Sequence, residues 1–388
     1  MNEIEKLIKK LCPDGVPVRQ LGEICTVGRG VRVVRDQLTQ INKFPVYQNS
    51  LKPLGFYEKS NRPANSPFVI GAGGAGGIGY SKEPFWAADD CFFFSESENL
   101  NPRYLYHVLL NSQQNISSKV RTGTVPRLSR SVLEKLSVPV PPMEVQKEIV
   151  KILDKFTELE AELEAELEAR KKQYAFYRER LLSFNREEKR REENAVRFLT
   201  LGEVCEEITT IRWKENQGKE FQYIDLSSVS RERHQIEKSE SINSENAPSR
   251  AQQIICTDDI LFGATRPQLA RFCIVPATYE GQICSTGFCV LRPKKKQILP
   301  QWIYFQISLE RFYEFVKARE RGSNYPTISA ADVKSYEIPV PALEEQKRIV
   351  GILDKFDRLV NDLTEGLPAE IEARRAQYAH YREKLLSF

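Results

Sequence analysis

The residues that most resemble a chemical site form a glycine cluster from Gly71 to Gly79. The cluster contains a GxGxxG pattern after a short apolar run, and such a pattern holds a phosphate or a methyl-donor cofactor when a helix follows it. The next residues, Tyr80 to Trp86, instead have the composition of a turn and a strand. We therefore predict a glycine-rich β-turn and no bound cofactor.

A second candidate is Asn101-Pro102-Arg103-Tyr104, which differs at its third position from the Asn-Pro-Pro-Tyr loop of amino-methyltransferases. Asparagine followed by proline is also a common start of a helix, with the asparagine as N-cap. We predict that structural role here.

The histidines and cysteines give little support for a metal site or a catalytic nucleophile. The three histidines, at 107, 234 and 380, have no spacing typical of metal ligands or of a nucleophile with its base. The eight cysteines contain no CxxC pair and are read as reduced core residues. Three of them could in principle bind zinc: Cys273, Cys284 and Cys289. We predict no metal site and no catalytic residue.

The composition is ordinary for a globular protein, with 41% hydrophobic and 28% charged residues. No apolar run approaches the roughly 20 residues that a membrane-spanning helix needs. The first ten residues lack the apolar core of a signal peptide, so a cytoplasmic location without a membrane partner is expected. The net charge of +4 is too small to identify a binding partner by itself.

The chain contains an internal repeat that divides it into two similar halves. Residues 138–156, VPVPPMEVQKEIVKILDKF, return at 338–356 as IPVPALEEQKRIVGILDKF, and residues 169–184, ARKKQYAFYRERLLSF, return at 373–388 as ARRAQYAHYREKLLSF. The offset grows by four residues between the two matches, so the second copy holds a four-residue insertion. Each copy is a divergent body followed by a nearly identical tail.

The bodies contain short β-branched and aromatic runs broken by Gly, Pro, Asn and Asp, which predicts mostly β domains, each with a helix near its end at 102–120 and 300–320. The tails carry apolar residues at helical spacing, so we expect two long helices that pack as an antiparallel coiled coil. Gly366-Leu367-Pro368 interrupts the second tail and predicts a kink.

We thus predict an α+β fold with a pseudo-two-fold internal repeat, in which a pair of long antiparallel helices separates two mostly β domains. The predicted segments are a first domain at 1–140, a first spacer helix at 141–184, a charged linker at 185–196, a second domain at 197–340 and a second spacer helix at 341–388.

These features together resemble the specificity subunits of type I restriction-modification systems. The resemblance covers essentially the whole chain: a Leu-Gly-Glu start of each body, a Pro-x-Leu/Ile-Ser turn, Ile/Val-Pro-Val-Pro followed by Glu-x-Gln-Lys, and a Tyr-Arg-Glu-(Arg/Lys)-Leu-Leu-Ser-Phe end. Each motif alone is weak, whereas their order, repeated twice, is specific.

The resemblance implies a non-catalytic subunit whose two bodies are target-recognition domains for double-stranded DNA. Because the bodies diverge, each should read its own half of an asymmetric two-part site with a fixed gap. The implied partners are two modification subunits, which carry S-adenosylmethionine and methylate adenine, and restriction subunits with translocase activity. No cofactor is expected on this chain.

DNA contacts are expected from Arg, Lys, Asn, Gln, Ser and Thr on loops of the bodies, because guanidinium and amide groups pair with base edges while cations neutralise phosphates. In the first body the candidates are Arg29, Arg32, Asn49, Lys52, Arg62, Arg121, Thr124 and Arg127. In the second they are Arg212, Lys214, Arg266, Gln268, Arg271, Arg321, Ser323 and Asn324. The alternative for each is a solvated surface residue, and close approach of the backbone to DNA is a further interpretation of the glycine cluster.

The first tail contains the tetrad Glu-Leu-Glu-Ala three times in tandem between residues 158 and 169, with its leucines at Leu159, Leu163 and Leu167. Each tetrad adds about 6 Å of helix, against about 3.4 Å per base step of DNA. We hypothesise that this stretch sets the gap between the half-sites, as a ruler. A helix merely rich in good helix formers is the alternative.

Two other classes of function fit less well. A stand-alone methyltransferase would need a cofactor fold and an intact catalytic loop. A coiled-coil scaffold that binds only protein would explain the tails but not two divergent bodies with basic loops.

Overall fold

The computed structural model describes residues 3–39, 43–184, 196–362 and 365–388. Residues 185–195 of the predicted charged linker lie outside the described residues. The chain divides into two compact units, a first unit of Met1–Ala165 with Glu370–Phe388 and a second unit of Glu166–Ala369. Each unit therefore contains one body, part of the tail that follows that body and part of the other tail.

The strands of the first unit form three sheets. A four-stranded antiparallel sheet has the order β2-β8-β5-β6, a three-stranded sheet has the order β4-β3-β7 with β3 and β7 parallel, and β1 pairs with β9. The strands are β1 Val18–Gln20, β2 Val27–Arg29, β3 Phe44–Tyr47, β4 Gly55–Tyr57, β5 Ser66–Ile70, β6 Ile78–Ser81, β7 Trp86–Ala87, β8 Cys91–Phe94 and β9 Ser137–Pro139. The β1–β9 pair joins the start of the body to its end.

One helix of the first body precedes these strands, four lie between them, and the long tail helix α6 follows them. They are α1 Glu3–Leu11, α2 Leu21–Ile24, α3 Pro102–Asn111, α4 Gln113–Ser118, α5 Arg130–Glu134 and α6 Met143–Leu182. The side chain of Asn101 accepts hydrogen bonds from the backbone N–H groups of Arg103 at 2.8 Å and Tyr104 at 3.2 Å, which confirms it as the N-cap of α3.

The second unit repeats this topology, except that its counterpart of the three-stranded sheet has a fourth strand. Its sheets have the orders β11-β18-β15-β16 and β13-β12-β17-β14, with β12 and β17 parallel, and β10 pairs with β19. The strands are β10 Arg197–Thr200, β11 Cys205–Glu206, β12 Phe221–Ile224, β13 Glu240–Ile242, β14 Ala251–Ile254, β15 Ile260–Gly263, β16 Phe272–Ile274, β17 Ile283–Ser285, β18 Phe288–Pro293 and β19 Glu337–Val340. The helices are α7 Leu201–Val204, α8 Pro300–Ile307, α9 Glu310–Lys317, α10 Ala330–Lys334, α11 Leu343–Asn361 and α12 Leu367–Leu386.

A buried glutamine joins the first body to the start of its tail helix. The Gln146 side-chain oxygen accepts from Asn101 N at 2.8 Å, and its side-chain nitrogen donates to the carbonyl oxygens of Asn99 and Pro141, both at 2.8 Å. Gln146 is fully buried. One side chain therefore satisfies three backbone groups from both elements, which fixes where α6 begins against the body.

The second unit uses Gln346 in the same way. Its oxygen accepts from Leu299 N at 2.9 Å, and its nitrogen donates to Gln297 O at 3.0 Å and Pro341 O at 2.8 Å. The glutamine in each copy of the Glu-x-Gln-Lys motif thus has a structural role that the two sequences share.

In the first unit the tail helices α6 and α12 run antiparallel. The ring of Phe156 packs against the rings of Tyr381 and Tyr378, with centroids 5.2 and 6.3 Å apart, and Arg375 Nε donates to Glu160 at 2.6 Å. As the residue number increases along α6, the residue number of its contact on α12 decreases, which is the antiparallel arrangement. The second unit contains the matching cluster, in which Phe356 packs against Tyr177 and Tyr174 at 5.9 and 6.3 Å.

The second tail is interrupted where the sequence predicts a kink. Helix α11 ends at Asn361 and α12 begins at Leu367, with Pro368 in its first turn, whereas α6 continues through 40 residues without a break. Proline is tolerated in the first turn of a helix because its missing N–H has no partner there. The two tails are thus one continuous helix and one pair of helices.

Candidate nucleic-acid interface

A closed loop near the end of the first body, residues 121–127, is largely exposed, and we call it the first reading loop. Arg121 N donates to Arg127 O at 2.8 Å, and Arg127 N donates to Arg121 O at 3.1 Å. This reciprocal pair fixes the base of the loop, and the side chains of Arg121, Thr124 and Arg127 are exposed. The loop is therefore held by backbone bonds while its side chains remain available.

The first reading loop lies against the glycine cluster. Leu128 N donates to Gly71 O at 2.8 Å, and Gly73 N donates to Pro126 O at 3.1 Å. The cluster is the turn between β5 and β6, which pair antiparallel, so the predicted glycine-rich β-turn is confirmed. Gly73 has φ +76°, and a Cβ there would lie 3.0 Å from the Cβ of Asn49. Glycine thus lets three segments of backbone approach one another.

The same contact brings two further candidates to the first reading loop. Gly74 N donates to Asn49 O at 2.8 Å, and the side chains of Asn49 and of nearby Lys52 are exposed. Arg29 borders a cavity of about 320 Å³ together with Arg127 and Arg130. Arg130 was missed by the sequence reasoning, although it lies only three residues beyond Arg127.

Two candidates of the first body are placed differently. Arg32 is exposed in the irregular segment after β2. Arg62 is half-buried with its guanidinium 3.5 Å from the centroid of the Phe93 ring, and burial lowers its pKa. Within the described residues its Nε has no hydrogen-bond partner. The contact with Phe93 gives Arg62 a packing role within the sheet.

The second body contains a matching loop, residues 321–327, which we call the second reading loop. Arg321 N donates to Thr327 O at 2.8 Å, and Thr327 N donates to Arg321 O at 2.9 Å. Ile328 N donates to Ala264 O at 2.9 Å, as Leu128 N does to Gly71 O in the first unit. The side chains of Arg321, Ser323 and Asn324 are exposed.

Arg266 occupies the position of Gly73. Its N–H donates to Pro326 O at 2.7 Å, the counterpart of the bond from Gly73 to Pro126, and it also has a positive φ, +50°. Its guanidinium lies 4.1 Å from the centroid of the Tyr325 ring. The exposed Gln268 follows in the same turn, with its side-chain nitrogen 3.5 Å from a carboxylate oxygen of Glu320.

The remaining candidates of the second body lie in two other environments. Arg271 is half-buried and donates to the carbonyl oxygens of Leu226, at 3.0 Å, and Val229, so its guanidinium joins two segments of backbone. Arg212 and Lys214 are exposed in a separate short turn, where Arg212 pairs with Glu215 at 3.2 Å.

Sequence reasoning also missed the residues at the tips of the reading loops. Tyr325 is 67% exposed and Val125, at the equivalent position, is 50% exposed. The candidates predicted from the sequence are Arg, Lys, Asn, Gln, Ser and Thr residues, so neither tip residue is among them. The sequence does contain a signal for these tips. The same proline follows in both copies, at Pro126 and Pro326, but the large residue before it differs, Val125 in one and Tyr325 in the other.

Across the described ranges, no group of three or more His, Cys, Asp or Glu side chains is arranged to hold a metal ion. Burial raises the pKa of Cys273 and of Cys289 to about 12, which keeps both thiols protonated near neutral pH. In the same part of the chain, no helix combines the length and the apolar character needed to cross a membrane.

Comparison with known proteins agrees with this architecture. The family described as type I restriction modification DNA specificity domain matches residues 13–169 and 194–373. The EcoR124I/EcoR124II specificity subunit of Escherichia coli is 33% identical over 74% of this chain and 70% of its own length. A putative specificity subunit of Haemophilus influenzae is 32% identical over 78% of this chain and 77% of its own.

A solved structure shows the same fold. The S subunit of a type I restriction-modification system from M. genitalium superposes with a TM-score of 0.61 over 96% of each chain, at 17% identity. The family model matches twice, once with each body, so the chain carries a duplicated DNA specificity domain. The chain belongs to the type I restriction-modification DNA specificity family. The expected fold class and the expected non-catalytic role in DNA recognition are confirmed.

Proposed function

We propose that the two reading loops, with the segments packed against them, make the DNA contacts of two different half-sites. The observation that carries this proposal is that one backbone frame is repeated in both units while its exposed side chains differ. A repeated frame with divergent side chains is what separate recognition of two sequences requires.

The frame also suggests which contacts are shared. Arginine occupies the base of both loops, at 121 and 321, whereas the tips read Thr124-Val125 and Asn324-Tyr325. Contacts with phosphates fix register and carry no sequence information, while contacts with base edges do. We therefore assign the two shared arginines to phosphates and the tips, with Asn49 in the first unit, to bases.

The partners proposed for this chain are double-stranded DNA, two modification subunits and restriction subunits with translocase activity. The support is that the relatives are named as specificity subunits of type I restriction enzymes. S-adenosylmethionine would be bound by the modification subunits, and a cytoplasmic location follows from this role. The functional boundaries proposed are those expected from the sequence, at residues 140, 184, 196 and 340.

Sequencing of methylated adenines tests this function. Cells that express the chain with its cognate modification subunit should acquire an asymmetric two-part methylation motif that cells lacking the chain do not have. An unchanged methylation pattern, with a modification subunit shown to be active and bound to the chain, would favour the protein-binding scaffold instead.

The ruler hypothesis remains a proposal about α6. The helix runs unbroken through the three tetrads, and Leu159 is 44% exposed, so this leucine is not needed to fill a core. We propose that deleting the tetrad at 162–165 shortens the gap in the motif by about one or two base pairs, because about 6 Å of helix is removed.

A length-matched control separates the ruler from the side chains it contains. Replacing Leu159 and Leu163 by alanine keeps the helix length and should leave the gap unchanged. An unaltered gap in the tetrad deletion, with both half-sites still methylated, would rule the ruler out.

A further inference from the structure

Arg266 holds a backbone conformation that its counterpart achieves with glycine. Its φ is +50°, in the left-handed region that disfavours residues with a Cβ, whereas Gly73 adopts φ +76° at the equivalent position. Since the frame accepts glycine here, the arginine is not required to form the turn. A non-glycine residue kept in a strained conformation that glycine would adopt without strain suggests a functional role for its side chain.

The side chain of Arg266 is oriented by a contact with an aromatic ring but forms no ion pair with a carboxylate among the described residues. Its guanidinium lies 4.1 Å from the centroid of the Tyr325 ring, and both side chains are exposed at the surface of the second reading loop. Among the described residues, no carboxylate forms an ion pair with it. Arg271 shows the contrast, because its guanidinium donates to Leu226 O and Val229 O within the body.

An aromatic ring beneath a guanidinium restricts its orientation while leaving the N–H edge free. A guanidinium with a free, oriented edge matches the O6 and N7 acceptors of guanine in the major groove. We propose that Arg266, positioned by Tyr325, reads a guanine in the second half-site. This inference rests on the proposed function of the second reading loop and adds the base and the residue pair.

The first unit has no equivalent pair, because the two positions are Gly73 and Val125. The arginine–tyrosine pair therefore makes recognition by the second unit different in kind from recognition by the first. The pair also allows a test that separates base recognition from folding, because the first unit forms the same turn with glycine, Gly73.

The experiment uses the full-length chain with its modification subunit and compares R266G, R266K and Y325A with the wild type. Methylated adenines are sequenced, and the melting temperature of each purified variant is measured. R266G should melt at or above the wild-type temperature because it relieves the left-handed strain. In the same variant, discrimination at one G·C position of the second half-site should fall by roughly 5- to 150-fold, the value of a bidentate pair.

R266K keeps the charge but loses the rigid planar fork and its stacking on the Tyr325 ring, so it should relax the same position. Y325A should relax it to a smaller extent. Y325F retains the ring beneath the guanidinium and loses only the hydroxyl, so it should relax this position less than Y325A does. The first half-site should remain unchanged in all four variants.

Three outcomes would overturn the inference. An unchanged motif in both R266G and R266K would exclude base reading by Arg266 while leaving the proposed function intact. An equal loss of methylation at all sites, with the motif itself unchanged, would assign Arg266 to a phosphate. A lower melting temperature for R266G would give the side chain a role in the fold. Absence of any two-part motif with the wild-type chain would instead reject the proposed function itself.

Discussion

The two recognition units share their framework and differ in what the framework presents. Each closes its reading loop with the same reciprocal backbone bonds and anchors its tail with a buried glutamine. Among the differences between the divergent bodies are the exposed loop tips and one buried cluster. The comparison teaches that the repeated residues specify architecture, and the proposed function assigns DNA specificity to the exposed positions at which the units differ.

The buried cluster shows that even the architecture is not identical. In the first unit His107, which is fully buried, contacts Tyr378 OH through Nδ1 at 2.9 Å and Asp154 through Nε2 at 2.8 Å, and Arg103 Nε donates to the same carboxylate oxygen at 2.8 Å. Since a carboxylate only accepts, Nε2 carries the proton and Nδ1 accepts from the tyrosine. Phe305 takes the place of His107 in the second unit.

The pKa values follow from these surroundings. Burial lowers the pKa of His107, despite its hydrogen bond to Asp154. Burial also raises the pKa of Asp154, but hydrogen bonds from His107 and Arg103 outweigh this, so the net pKa is below its usual value. Among the described residues no His or Arg side chain donates to Asp354, the counterpart of Asp154, and burial raises the pKa of Asp354. The carboxylate is thus retained in both units while its partners are not.

The largest effect is expected from breaking what the units share. Gln146→Leu and Gln346→Leu each leave three backbone groups without their partner, at about 1–3 kcal/mol for each group that stays buried. We expect each variant to lose about 3–5 kcal/mol of unfolding free energy, by similar amounts, in urea titrations of the full chain. Gln114→Leu and Gln217→Leu, at exposed positions, should change stability little. Unequal losses would show that the two anchors are not equivalent.

A smaller effect is expected from removing a difference between the units. His107→Phe installs the residue of the second unit and leaves the Tyr378 hydroxyl without its acceptor, which should cost about 1–3 kcal/mol. Because the folded pKa of His107 is lowered, the wild type should lose stability as pH falls below about 6.5. The variant should lose less stability between pH 7 and pH 5.

The matched control for this variant is His380→Phe, at an exposed position where the other tail has Phe176. It should be nearly neutral and should keep the wild-type pH dependence. If both histidine variants behaved alike between pH 7 and pH 5, the buried cluster would not be the source of the acid sensitivity.

The smallest effect concerns the glycine turn under the first reading loop. Gly73→Ala places a Cβ 3.0 Å from Asn49 at φ +76°, and we expect a loss of about 1 kcal/mol in thermal or urea unfolding. Gly123→Ala is the comparison, because a Cβ there meets nothing within 4 Å. Equal effects of the two substitutions would mean that the close approach to Asn49 is unimportant.

Much of the fold could be predicted from the sequence because it is encoded in local patterns that occur twice. The repeat gave the two bodies and the tails, the Asn-Pro pair gave the start of α3, and Gly366-Leu367-Pro368 indicated the interruption of the second tail. The predicted helices at 102–120 and 300–320 proved to be two short helices each, since the breaks at Ser112 and Ser308–Leu309 leave no strong signal in composition.

The candidate interface was less predictable because it depends on contacts between distant segments. Arg266 and Arg271 look alike in the sequence, but one lies over an exposed ring and the other donates to backbone carbonyl oxygens within the body. Arg62 likewise packs on Phe93 through a contact between residues 31 positions apart. The equivalence of Gly73 and Arg266 is visible only from the backbone bonds that both make.

The central claim is that each unit reads its own half-site, and loop variants with methylation sequencing test it most directly. Cells would express the modification subunit with the wild-type chain, with N49A/T124A in the first unit, or with S323A/N324A in the second. We predict a two-part motif in which each double variant alters one half, a different half in each case, and leaves the other half and the gap unchanged. Alteration of both halves by either variant would contradict this account.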